Sequence, residues 1–114
     1  MRVLAVLVAS ALPLAAVSAA EIPIVGWTQA EPTRMVDLQR SVLRLTELHG
    51  KCHDVEEIRV GPMPKDFKPV ENLEGRTNEL WTAVGCGREF AFWVAWYVGP
   101  NGSGTTTLAK YRWE

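Results

Sequence analysis

His49, Cys52 and His53 fall within one short stretch, with Asp54, Glu56 and Glu57 directly behind them. Nowhere else does the chain gather so many groups able to bind a metal or move a proton. Imidazole and thiolate are zinc and copper ligands, and a histidine beside a carboxylate suits general acid and base work. A small metal-binding protein or hydrolase using His49, His53 and the nearby acids is therefore one reading. The spacing speaks against it. Gly50 should end a helix between the ligands, so they do not share a face, and no fourth ligand stands out. Nor does the chain carry a nucleophile elbow, a zinc-protease motif or a phosphate-binding loop.

The chemistry of Cys52 depends on the compartment, and the first twenty residues bear on that. Met1-Arg2 begin with positive charge, Val3 to Leu14 are apolar, and Ser18-Ala19-Ala20 place small residues where a signal peptidase reads, before Glu21. Export to the periplasm or beyond, with cleavage near Ala20, is the expectation. The apolar stretch is too short to cross a bilayer core of about 30 Å, and no later segment is long and apolar enough, so no membrane span is expected in the mature chain. In an oxidising compartment, Cys52 and Cys86 are most simply one disulfide. Neither lies in a recognisable nucleophile setting.

Of the 12 basic and 13 acidic residues only Arg2 lies in the first twenty, so the remainder carries a net charge near −2. That balance gives no support for nucleic-acid binding, which needs clustered Lys and Arg. Arg34, Arg40 and Arg44 come closest, but Asp37 and Glu47 interrupt them, as on a solvated helix face. No cofactor is expected.

These residues must be positioned by a single small domain. Residues 1–20 read as a signal peptide, 21–31 as an extended arm and 32–114 as the domain. Pro32 suits the start of a helix. Met35, Leu38, Val42, Leu45 and Leu48 recur at helical spacing, and Gly50 suits the end, predicting a helix from about 32 to 49. Asp54 to Val60 is predicted as a strand with Ile58 and Val60 on one face. Residues 61–76, rich in Pro and charge, form a long loop whose Met63 to Val70 stretch is a candidate contact surface.

From Thr77 onward apolar residues alternate with period two. Leu80, Thr82 and Val84 form one set. After a three-residue Gly85-Cys86-Gly87 connection, Phe90, Phe92, Val94, Trp96 and Val98 form another on the same face. Pro100-Asn101-Gly102 is turn chemistry, leading to a last strand over 105–113. A six-residue connection there would make Ala109, Tyr111 and Trp113 its core residues; an odd-length one would bury Lys110 and Arg112 instead. The fold class predicted is α+β, one N-terminal helix packed on a four-stranded antiparallel meander in two layers with one disulfide.

On this reading the sheet face away from the helix carries Trp81, Ala91, Trp93, Ala95, Tyr97 and Leu108, where a solvated face should be mostly polar. Two readings stay open. Either the N-terminal arm or the 61–76 loop covers this face, or Trp81, Trp93, Tyr97 and Leu108 bind something: an envelope or extracellular protein, a second copy of the chain, or a glycan. The expectation is a non-enzymatic exported protein acting through that aromatic surface.

The run Glu79-Leu80-Trp81-Thr82-Ala83-Val84-Gly85-Cys86-Gly87, followed by an aromatic strand and a Gly-rich turn, resembles small, functionally uncharacterised exported proteins of proteobacteria that share a Glu-x-Trp-x-x-x-x-Cys-Gly hairpin. The likeness spans about residues 77–107. It implies a periplasmic or secreted protein and carries over no catalytic residue. The strand after Cys-Gly departs from that pattern: it is often basic or polar in those proteins, whereas here Phe90 to Tyr97 is aromatic.

Overall fold

A computed structural model describes residues 22–68, 76–97 and 104–113. Residues 1–20, read above as a signal peptide, and Pro100-Asn101-Gly102, read as a turn, lie outside the described residues. The chain runs β1 (Ile24–Gly26), α1 (Pro32–Gly50), β2 (Val55–Pro62), β3 (Thr77–Gly85), β4 (Arg88–Trp96) and β5 (Thr106–Lys110). The five strands lie in one sheet in that order. The α+β class with one helix holds, but the four-stranded antiparallel meander gains a member. The extended arm is an edge strand, β1, paired parallel to β2, with Ile24 opposite Ile58. Two apolar residues, Ile22 and Ile24, give the arm enough to bury against the core.

Helix α1 begins as the sequence predicts, with Glu31 at the cap and Pro32 in the first turn. Its end differs in mechanism. The left-handed residue that stops it is Lys51 (φ 55°), whose N–H bonds back to the Thr46 carbonyl. Gly50 serves another purpose: a Cβ there would lie 2.5 Å from the ring of Phe90. The buried stripe is rotated from the predicted one. Leu38, Gln39, Val42, Thr46 and Gly50 are buried, whereas Leu48 is exposed. Both buried polar side chains are satisfied, Gln39 Nε2 donating to the Ile22 carbonyl and Thr46 Oγ1 to that of Val42.

One residue in a turn decides the faces of the sheet. The β3–β4 connection has two residues, not three: Cys86 (φ 55°) and Gly87 (φ 69°), with Gly85 opposite Arg88. Two consecutive left-handed residues are the type I′ geometry that suits the twist of a hairpin. Shortening the loop by one residue shifts the pairing from even–even to odd–even, which turns every β3 side chain over. Trp81 therefore pairs with Phe92 on the helix side, and Leu80 with Trp93 on the other. The core comprises Trp81, Ala83, Phe90, Phe92, Val94 and Trp96 from the hairpin with Ile58, Val60, Leu38 and Val42.

The register of β5 also differs from the sequence reading. Leu108 lies opposite Val94 and Lys110 opposite Phe92, so even positions face the helix. Ala109 and Tyr111 face outward. Trp113 still reaches the core, because Arg112 is left-handed (φ 59°) and breaks the alternation. Its ring meets those of Phe90 and Phe92 edge-on, at 5.2 and 5.6 Å.

Candidate binding surface

The resemblance motif resolves into structural parts. Glu79 is only 4 % exposed. Its carboxylate accepts from Thr28 Oγ1 (2.7 Å), from the Gln29 N–H (2.8 Å) and from Trp81 Nε1 (3.0 Å). Two residues apart on a strand, Glu79 and Trp81 share a face, and the acid ties the indole to the N-terminal arm. Cys86 bonds to Cys52, fastening the hairpin tip to the end of α1. Arg88 reinforces that joint by donating to the Gly50 carbonyl while lying over the Phe90 ring.

The disulfide takes Cys52 out of the His49 and His53 group. His53 Nδ1 sits 2.8 Å from Glu47 Oε2, and Glu57 is held by Arg59 Nε at 2.6 Å. His49, Asp54 and Glu56 are exposed. Among the described residues no three His, Cys, Asp or Glu side chains come together as a metal site.

The outer face of the sheet divides into a charged end and an aromatic end. At the first, Arg59 lies between Glu57 and Glu89, 2.6 and 3.2 Å away. The hydrogen bond and charge of Glu57, with a smaller contribution from Glu89, raise the guanidinium's pKa further. At the aromatic end Trp93 stands between Leu80 and Ala109 on the neighbouring strands, its indole N–H donating to Asn78 Oδ1 at 2.8 Å. Phe67 packs on it with ring centroids 5.4 Å apart, and also meets Tyr111 at 6.0 Å.

Phe67 is delivered by a turn in which its N–H bonds to the Pro64 carbonyl, pinned where Asp66 meets Arg112 at 2.9 Å. The Arg112 hydrogen bond and charge hold the Asp66 carboxyl below its ordinary range. The 61–76 loop thus covers part of this face, through residues 63–68, while the arm takes the sheet edge instead. Tyr97, 41 % exposed, continues the aromatic end beyond β4. Tyr111 Oη is buried without a hydrogen-bond partner among the described residues.

Of the residues predicted to form this surface, the structure places Trp93 and Tyr97 on it. Trp81 is fully buried on the helix side, and Leu108 packs against the core from the same side. Both corrections follow from the registers set by the two-residue turn and by β5. Phe67 and Tyr111 join the surface. Phe67 is the single aromatic residue of the long loop, a signal visible in the sequence; Tyr111 was hidden by the register of β5. No family model, curated protein or solved structure matches this chain. No helix among the described residues is long and apolar enough to cross a membrane.

Proposed function

We propose that this chain is an exported, non-enzymatic protein of the periplasm or extracellular space that binds a partner through the aromatic end of its outer sheet face. The observation that carries this reading is the cluster of Phe67, Trp93 and Tyr111 on the face opposite the helix, with exposed Tyr97 further along the line of β4, where hydrophobic burial in the domain's own core does not account for it. Half-buried aromatic clusters outside the core, bordered by an exposed tyrosine, can supply binding energy at low conformational cost. The disulfide between the hairpin tip and the end of α1 suits an oxidising compartment.

Export and binding are tested together by placing a photo-crosslinking residue at Tyr97, or at Arg40 on the exposed helix face, in protein produced with its own N-terminus. The expected result is a mature chain starting near Glu21 and a discrete crosslinked species from position 97 alone. A chain retaining residues 1–20 in the cytoplasm would overturn the export reading. Equal crosslinking at both positions, or at neither, would overturn the surface.

A further inference from the structure

The strand β5 closes one edge of the sheet, and its hydrogen-bond phase is fixed by two contacts. The Tyr97 N–H bonds to the Thr105 carbonyl and the Tyr111 N–H to the Ala91 carbonyl. Odd-numbered residues of β5 therefore exchange bonds with β4, and the N–H and C=O groups of Thr106, Leu108 and Lys110 point away from the sheet. Among the described residues nothing pairs with that edge. Beside it, between β5 and the first half of α1, runs an open groove of about 540 Å³ lined by Glu31, Arg34, Asp37, Ser41 and Thr106. Arg34 is already engaged, by Glu31 at 2.9 Å and by Thr106 Oγ1 at 3.0 Å. Asp37 has no cationic partner among the described residues.

We propose that the occupant of this edge is β5 of a second copy, added antiparallel about a two-fold axis through Leu108. Only registers that pair even with even positions satisfy the outward groups. Centring on Lys110 would set like charges opposite each other and run into the left-handed Arg112. Centring on Thr106 or Thr107 would leave Lys110 opposite residues beyond the strand, and centring on Ala109 would set Thr106 opposite the left-handed Arg112. Centring on Leu108 uses the whole strand: Leu108 meets the partner's Leu108, and Thr106 meets the partner's Lys110. Opposing residues lie on the same side of a sheet, so the partner's Lys110 enters the groove at Thr106 and finds the Asp37 carboxylate. The contact is made twice, once in each direction, as an isologous interface requires.

A lysine on an edge strand ordinarily discourages pairing. Within its own chain the Lys110 ammonium lies over the Trp113 ring, 4.8 Å from its centroid; the register offers it a carboxylate in exchange, and in the dimer both edges in question are consumed. The remaining edge, β1, is three residues long, which leaves little template for further growth. Both helices fall on one side of the joined sheet, and the two outer aromatic faces become continuous on the other.

The test is sedimentation equilibrium of the oxidised protein, with variants Asp37→Lys and Lys110→Glu at exposed positions. A single-strand interface is small, so the expected dissociation constant is on the order of 10–100 µM. Each variant alone places like charges together twice and should be at least about tenfold weaker. An equimolar mixture of the two should associate again, because the heterodimer restores an opposite pair at both contacts. Protein that stays monomeric at about 1 mM, a dimer indifferent to Lys110→Glu, or a mixture that fails to associate would each overturn the proposal.

Discussion

On the helix side of the sheet, Trp81, Phe90, Phe92 and Val94 are sealed beneath α1 and Trp113, and the polar groups among them are answered: Glu79 by three donors, Gln39 by a carbonyl. On the outer side, Trp93, Tyr111 and Phe67 form a second aromatic cluster that no helix covers. Among the described residues one short turn lies over it, and the hydroxyl of Tyr111 inside it has no hydrogen-bond partner. Similar side chains are thus used in two ways. A core is defined by closure and complete hydrogen bonding, and among the described residues the outer cluster shows neither. That is why it reads as a surface for binding while the first reads as structure.

The two faces should differ most in what the loss of a tryptophan costs. Trp81→Ala should lose about 3–5 kcal/mol by urea unfolding, enough to leave so small a domain largely unfolded. Trp93→Ala should lose no more than about 1–2 kcal/mol, since its ring is only part-buried. Equal losses would mean that the outer cluster is a second core. Replacing Cys52 and Cys86 together by Ser opens a loop of sequence separation 34 and should cost about 4 kcal/mol. Trp93 should keep its Phe67 contact in whatever fraction remains folded, because the bolt joins the hairpin tip to the helix and does not touch the aromatic end.

A smaller effect is expected at Glu79. Glu79→Ala leaves buried donors unanswered and should cost about 2–3 kcal/mol. Its signature is faster exchange of the Ile58 amide, which bonds to the Pro23 carbonyl of the arm. Unchanged protection at Ile58 would mean that the arm does not depend on this acid. The smallest effect concerns the turn over the outer face. Arg112 lowers the pKa of Asp66 from its ordinary 3.8, so the pair is fully present above that value and is lost as pH falls through the depressed one. The indole N–H resonance of Trp93 should report a loosening of Phe67 in that acid window, and Asp66→Asn should show the loosened signal already at neutral pH.

Much of this was legible in the sequence because it rests on local signals. The periodicity over residues 35–48 and Pro32 locate α1, and the alternation from Thr77 locates the hairpin. The candidate surface was legible in part: Trp93 and Tyr97 follow from alternation along one strand, and the Met63 to Val70 stretch holds Phe67. Trp81 and Leu108 went to the wrong side because a face is a property of pairing. In a strand of period two, one residue in the turn moves the whole set, and Gly85-Cys86-Gly87 is compatible with either loop length until the disulfide and the bond from Arg88 to Gly50 fix the tip.

From the order of residues alone follow one long helix, two cysteines placed where a helix end and a hairpin tip can meet, and more aromatic residues than one face can use. Tertiary structure decided which aromatics are core, that the N-terminal arm completes the sheet as a parallel edge strand, and that Glu79 is buried to hold it. The physical reason is range. Helix and strand periodicity are written in neighbouring residues, whereas register, edge pairing and the partners of a buried carboxylate are set by groups some fifty positions away, such as Thr28 and Glu79.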